Sequence, residues 1–150
     1  MKLHGLSPDE RERLTSSGLK AFFSISVLWK LDEPEQADLL GLNGGPSLRR
    51  WQVRPPRRLG RDRLERISHV LGIYKALQLL LPTAEQANAW VKKPNDAPPF
   101  LGAAALDLMR QGIPGLYAVR SYLEVTMSSL SIDPRIGGTV VATRVTGENG

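Results

Sequence analysis

The apolar positions of this chain recur at helical rather than alternating spacing. Leu19, Phe22, Phe23, Ile25, Leu28 and Trp29 follow a 3.6-residue period. Ser7-Pro8-Asp9-Glu10 has the form of a helix start, so a first helix is predicted to run to Ser17 and stop at Gly18. A second should then cover Leu19 to Trp29. Asp32, followed by Pro34 and Glu35, opens a third, whose inner side is Ala37, Leu39 and Leu40. Gly41 or Asn43 can take the left-handed conformation that ends it. A short helix restarts at Pro46 or Ser47 and stops before Pro55-Pro56. Asp62 begins a long helix to Leu81, carrying Leu64, Ile67, Leu71, Tyr74 and Leu77 inward. Thr83 and Gln86 open a helix through Trp90, and further helices are predicted over Gly102–Arg110 and Leu116–Met127. Residues 128–150 are rich in Ser, Thr, Gly and Val and read as an extended tail. The stretch Thr139–Val145 could form a strand but has no partner strand in the sequence. The fold class is all-α.

The pair of short helices around Asn43-Gly44-Gly45-Pro46 has the layout of a helix-turn-helix. Such a motif presents the start of its second helix to base edges in the major groove. Leu39, Leu40, Leu42, Leu48 and Trp51 supply a shared apolar core. Ser47, Arg49, Arg50 and Gln52 stand where groove-facing residues belong. Arginine can read guanine and glutamine can read adenine. Arg54, Arg57 and Arg58 follow closely enough to reach phosphates. A helical hairpin with arginines on its solvated side is the plainer reading of the same pattern.

Charge sharpens this picture. The 150-residue chain carries a net +5, and all of the excess lies in the first half. Eight arginines fall within residues 49–66, opposed only by Asp62 and Glu65, whereas residues 76–150 hold six basic and six acidic side chains. A concentrated basic segment is the electrostatic footprint of a polyanion partner. The neutral half is free for a different one.

Candidate chemistry is sparse. The chain has no cysteine, which excludes disulfides and thiolate chemistry. Its two histidines, His4 and His69, stand far apart with no metal-ligand spacing. Gly44-Gly45-Pro46-Ser47 lacks the lysine of a phosphate-binding loop. No signal sequence or membrane-spanning run is visible. The expectation is a cytoplasmic protein that binds rather than catalyses, without cofactor, metal or membrane.

The second half carries more specific motifs: Trp90-Val91-Lys92-Lys93-Pro94-Asn95, Pro99-Phe100-Leu101-Gly102, Ala105-Leu106-Asp107-Leu108-Met109 and Val119-Arg120-Ser121-Tyr122-Leu123-Glu124, in that order. Together with Gly18–Phe23, Trp29, Leu39-Leu40-Gly41, Trp51 and Arg61–Leu77, they resemble the Xre/MbcA/ParS antitoxins over about residues 10–126. The resemblance implies an Xre-like DNA-binding and dimerisation domain (residues 1–60), a helical toxin-binding domain (61–127) and a tail (128–150). It implies a homodimer through the N-terminal half, operator DNA as one partner and a cognate RES-domain, NAD-depleting toxin as the other. Arg120, Tyr122, Leu123 and Glu124 on the last helix are then the candidate toxin contacts. Trp90, Pro94, Asn95, Phe100 and Gly102 read as scaffold, and Asp107 as a helix cap. The competing reading is a helix-turn-helix transcription regulator with no toxin partner, which would have no use for the motifs of residues 90–124.

Overall fold

The structure, a computed structural model, describes residues 5–132. Within them it is all-α: α1 (Pro8–Leu28), α2 (Glu33–Leu40), α3 (Gly45–Val53), α4 (Arg61–Leu80), α5 (Ala84–Ala89), α6 (Ala105–Met109) and α7 (Ile113–Ile132). A single 3-10 turn covers Trp90–Lys92. The described residues hold no strand, only an isolated bridge between Pro94 and Ala104. The tail from residue 133, with the strand-like Thr139–Val145, lies outside the described residues.

The helix starts follow from local chemistry. Ser7 Oγ accepts from the Glu10 N–H at 3.1 Å at the head of α1. Asp32 and Glu35 exchange bonds of 2.8 Å in a full capping box at α2. Thr83 Oγ1 accepts from the Gln86 N–H at α5. Gly41, at φ +73°, ends α2 in the left-handed conformation.

Gly18 does not stop α1, which runs on as one helix of 21 residues. It is buried, and a Cβ there would lie 3.2 Å from Ile67 Cγ2 of α4. The missing side chain marks a close-packing site, set against the roughly 1 kcal/mol that glycine costs a helix. The last helix is also longer than expected. It begins at Ile113 and continues through Ile132, so residues 128–132 belong to α7 rather than to the tail.

The chain divides into two compact units, residues 1–71 and 72–150, and the division falls inside α4. In the first unit Leu19, Phe22, Trp29, Leu39, Leu40, Leu48, Leu64 and Ile67 form the core. α2 has only eight residues, too few to hold a helix in water by itself. Complete burial of Leu39 and Leu40 stabilises it by about 1.5–3 kcal/mol for each side chain. In the second unit Ile73, Leu77, Trp90, Val91, Phe100, Met109, Leu116, Val119 and Leu123 are buried. The inward stripe of α4 passes through Val70 and Ile73, while Leu71 and Tyr74 are only half-buried.

Candidate functional surfaces

The first candidate surface is α3. Leu48 turns into the core and Trp51 is half-buried. The opposite face of the helix therefore carries Pro46, Arg49, Arg50, Val53 and Arg54. These five line a shallow depression of about 720 Å³ on the surface. Arg49 Nη1 donates to Glu33 Oε1 of α2 at 2.8 Å, tying the two helices of the motif together on their solvated side. Arg50 Nη2 reaches Ser47 Oγ at 3.2 Å. The Arg54 N–H donates to the Arg50 carbonyl at 2.7 Å, while its side chain has no ion-pair or hydrogen-bond partner among the described residues.

The other expected contacts fall elsewhere. Gln52 points away from this depression, into two grooves shared with Phe23 of α1. Arg57 and Arg58 converge on Glu12 of α1. Arg57 donates through Nε and Nη2 to Glu12 Oε1 at 3.2 and 3.0 Å, and Arg58 Nε stands 3.6 Å from Oε2. The Arg57 hydrogen bond, then its charge, and more weakly Arg58, hold the Glu12 carboxyl below its usual range against a small opposing effect of burial. The Leu59 N–H, next along the chain, donates to buried Thr15 Oγ1 at 2.9 Å. The segment after α3 is thus laced onto α1.

Two further arginines serve the motif from behind. Arg66 Nε pairs with Asp62 at 2.9 Å, and its Nη1 donates to the Asp38 carbonyl at 3.3 Å. Its guanidinium fills the space beside Gly41, where a Cβ would lie 2.9 Å from Cζ. Arg63 Nη2 donates to the Gly41 carbonyl at 3.3 Å, and its guanidinium lies 5.6 Å from the centroid of the Trp51 ring. Both therefore clamp the end of α2, and Arg63 also covers Trp51 of α3. Charge counting places them in the basic segment, but nothing in their spacing separates a clamp from a surface cation.

The second candidate surface belongs to residues 72–132. Trp90, Phe100 and Tyr122 form an aromatic cluster. Phe100 meets Tyr122 edge-on at 4.9 Å and Trp90 at 5.7 Å, while Trp90 and Tyr122 are nearly parallel at 6.3 Å. Asn95 is buried and its Oδ1 accepts from the Ala97 N–H at 2.9 Å, in its expected turn-forming role. Asp107 Oδ2 accepts from the Ala104 N–H at 3.1 Å, as a helix cap does.

Of the four residues expected to face a toxin, one is spent inside. Leu123 is fully buried, so it serves its own core and has no surface to give a partner. The spacing Leu116, Val119, Leu123, Leu130 is the inward stripe of α7, and a longer periodicity count would have placed Leu123 there. Tyr122 is half-buried in the aromatic cluster. Arg120 lies along α4 at Gly72, 3.8 Å from Glu124, which is exposed. The structure adds surface residues that the sequence reading passed over: Leu101, Tyr117 and Val125 are large apolar side chains standing in solvent. Among the described residues no cluster of acidic and histidine side chains could hold a metal ion, and no helix is long and apolar enough to cross a membrane.

Comparison with known proteins meets this geometry in the second unit. Residues 76–124 match the family described as "Antitoxin Xre/MbcA/ParS C-terminal toxin-binding domain". The matched segment runs from the end of α4 through the aromatic cluster to Glu124 on α7. The chain is also 39% identical over 123 residues to "Uncharacterized protein y4oB" of Sinorhizobium fredii (strain NBRC 101917 / NGR234), covering 81% of this chain and 93% of that protein. No solved structure matches. The chain therefore belongs to the Xre/MbcA/ParS antitoxin family and carries that family's toxin-binding domain within its second compact unit.

Proposed function

We propose that the chain is the antitoxin of a type II toxin–antitoxin pair whose toxin is a RES-domain, NAD-consuming enzyme. The toxin-binding domain is the observation that carries this reading. The chain acts by occupying its partner, in the cytoplasm and without chemistry of its own. Contacts come from the exposed part of α7, with Arg120, Tyr122 and Glu124 the polar candidates.

The same proposal gives the first unit to operator DNA. Support comes from α3, which follows a tight turn and turns Arg49, Arg50 and Arg54 outward. Ser47 stands beside that face, whereas Gln52 lines the grooves at Phe23, and Arg57 and Arg58 would have to leave Glu12 to meet phosphate. A homodimer through the first unit would present two such helices to two half-sites. The exposed Val27 and Leu28 at the end of α1 are apolar surface suited to that contact.

The test is an NAD-loss assay on the product of the reading frame adjacent to this chain's own. Stoichiometric addition of the chain should abolish NAD loss. Undiminished NAD loss in the presence of excess chain would exclude neutralisation.

A further inference from the structure

The turn Phe100–Ala103 is closed by an Ala103 N–H bond to the Phe100 carbonyl at 3.0 Å. Its two central residues, Leu101 and Gly102, both have positive φ, +51° and +95°. That is the signature of a type I′ turn, whose first central position favours Asn, Asp or Gly. Leucine there is strained, because its Cβ crowds the following carbonyl. The same side chain is 77% exposed, so the strain is not offset by burial. Lys30, the other non-glycine residue with positive φ among the described residues, needs no such account. It follows the end of α1, where its N–H donates to the Val27 carbonyl and the Leu31 N–H to the Ser26 carbonyl.

The Leu101 turn is rigidly built. Asn95 donates its N–H to the Ala103 carbonyl at 3.1 Å and accepts from the Gly102 N–H at 2.8 Å. The Phe100 and Leu101 N–H groups both bond the Ala97 carbonyl, at 2.8 and 3.2 Å. Phe100 plugs inward against Trp90 and Tyr122 while its neighbour points out. Val125, one helical turn beyond Tyr122 on α7, is also 64% exposed. A rigid, strained and solvent-facing leucine is a local conflict of the kind that marks a binding site. Preorganisation of this sort lowers the entropic cost of association.

We infer that Leu101 is the apolar anchor by which the toxin-binding domain engages its toxin, seated in a leucine-sized apolar pocket of that partner. The inference rests on the antitoxin reading. The toxin is the occupant because the turn lies inside the segment that defines the toxin-binding domain.

The test pairs Leu101→Asn with Leu101→Met in the full chain and measures thermal unfolding, self-association and affinity for the product of the adjacent reading frame. Asparagine suits the turn and removes the anchor. The expected result is a Tm equal to or above that of the wild type, with affinity reduced by about tenfold or more. Leu101→Met should stay within about threefold. Unchanged affinity in Leu101→Asn overturns the inference while leaving the antitoxin reading intact. A fall in Tm together with affinity would assign Leu101 a structural role and also overturn it. So would loss of self-association at unchanged toxin affinity, which would make a second copy the occupant. Absence of any complex with the wild-type chain would overturn both readings.

Discussion

The guanidinium of Arg120 lies across α4 at Gly72, so close that a Cβ at residue 72 would stand 2.6 Å from its Cζ. The glycine makes room for a cation on α7, and that placement leaves Arg120 only partly exposed beside Glu124. An alanine would push the guanidinium aside, which a flexible side chain tolerates, and would favour the helix by about 1 kcal/mol. Gly72→Ala should therefore change stability by less than about 1 kcal/mol in urea titration while shifting the Arg120 Nε–Hε resonance. A loss above about 2 kcal/mol would mean that the Arg120 contact is structurally indispensable.

The arginines of residues 49–66 should separate into two classes by salt dependence. On the operator-binding proposal, Arg54, exposed on the α3 face, meets phosphate. Arg54→Ala should lower the log–log salt slope of operator binding by about 0.9. Arg63 bonds Gly41 and covers Trp51, so it positions α3 without facing outward. Arg63→Met should weaken operator binding with the slope unchanged. Gel-shift titrations at several salt concentrations distinguish the two, and equal slope changes in both variants would refute the division.

Glu12 gives the first unit a pH dependence of known sign. Its folded carboxyl is held below the usual 4.5, chiefly by the Arg57 hydrogen bond. A depressed acid stabilises the fold above its unfolded value, and that contribution is lost as pH falls through the folded value. Wild type should thus exceed Glu12→Gln in Tm at neutral pH, and the gap should close as the solution is acidified below about pH 4.5. A gap that stays constant to strongly acid pH would show that the pair with Arg57 contributes nothing. The exposed position of these arginines keeps the effect small.

Much of the fold was legible because its signals are local. The Asp32–Glu35 capping box, the Thr83 cap and the Gly41 stop each act within four residues, and all three stand in the structure as the sequence implies. Gly18 misled because its meaning is not local: only the approach of Ile67, 49 positions away, turns a helix breaker into a packing site. The split roles of the arginines were hidden for the same reason, since Glu12, Glu33 and Asp38 come from other elements. Leu123 sits beside residues with surface exposure, and motif membership alone could not reveal its burial. Leu101 was visible as a letter, but its positive φ belongs to the turn built by Asn95 and Ala97.

The most direct test of the central claim is co-expression of the tagged chain with the protein of the adjacent reading frame, followed by affinity purification and sizing of the product. An antitoxin gives a stable complex that survives sizing, with the toxin inactive until the chain is removed. Recovery of the chain alone, binding operator DNA specifically with no toxin attached, would contradict it and leave a transcription regulator in its place.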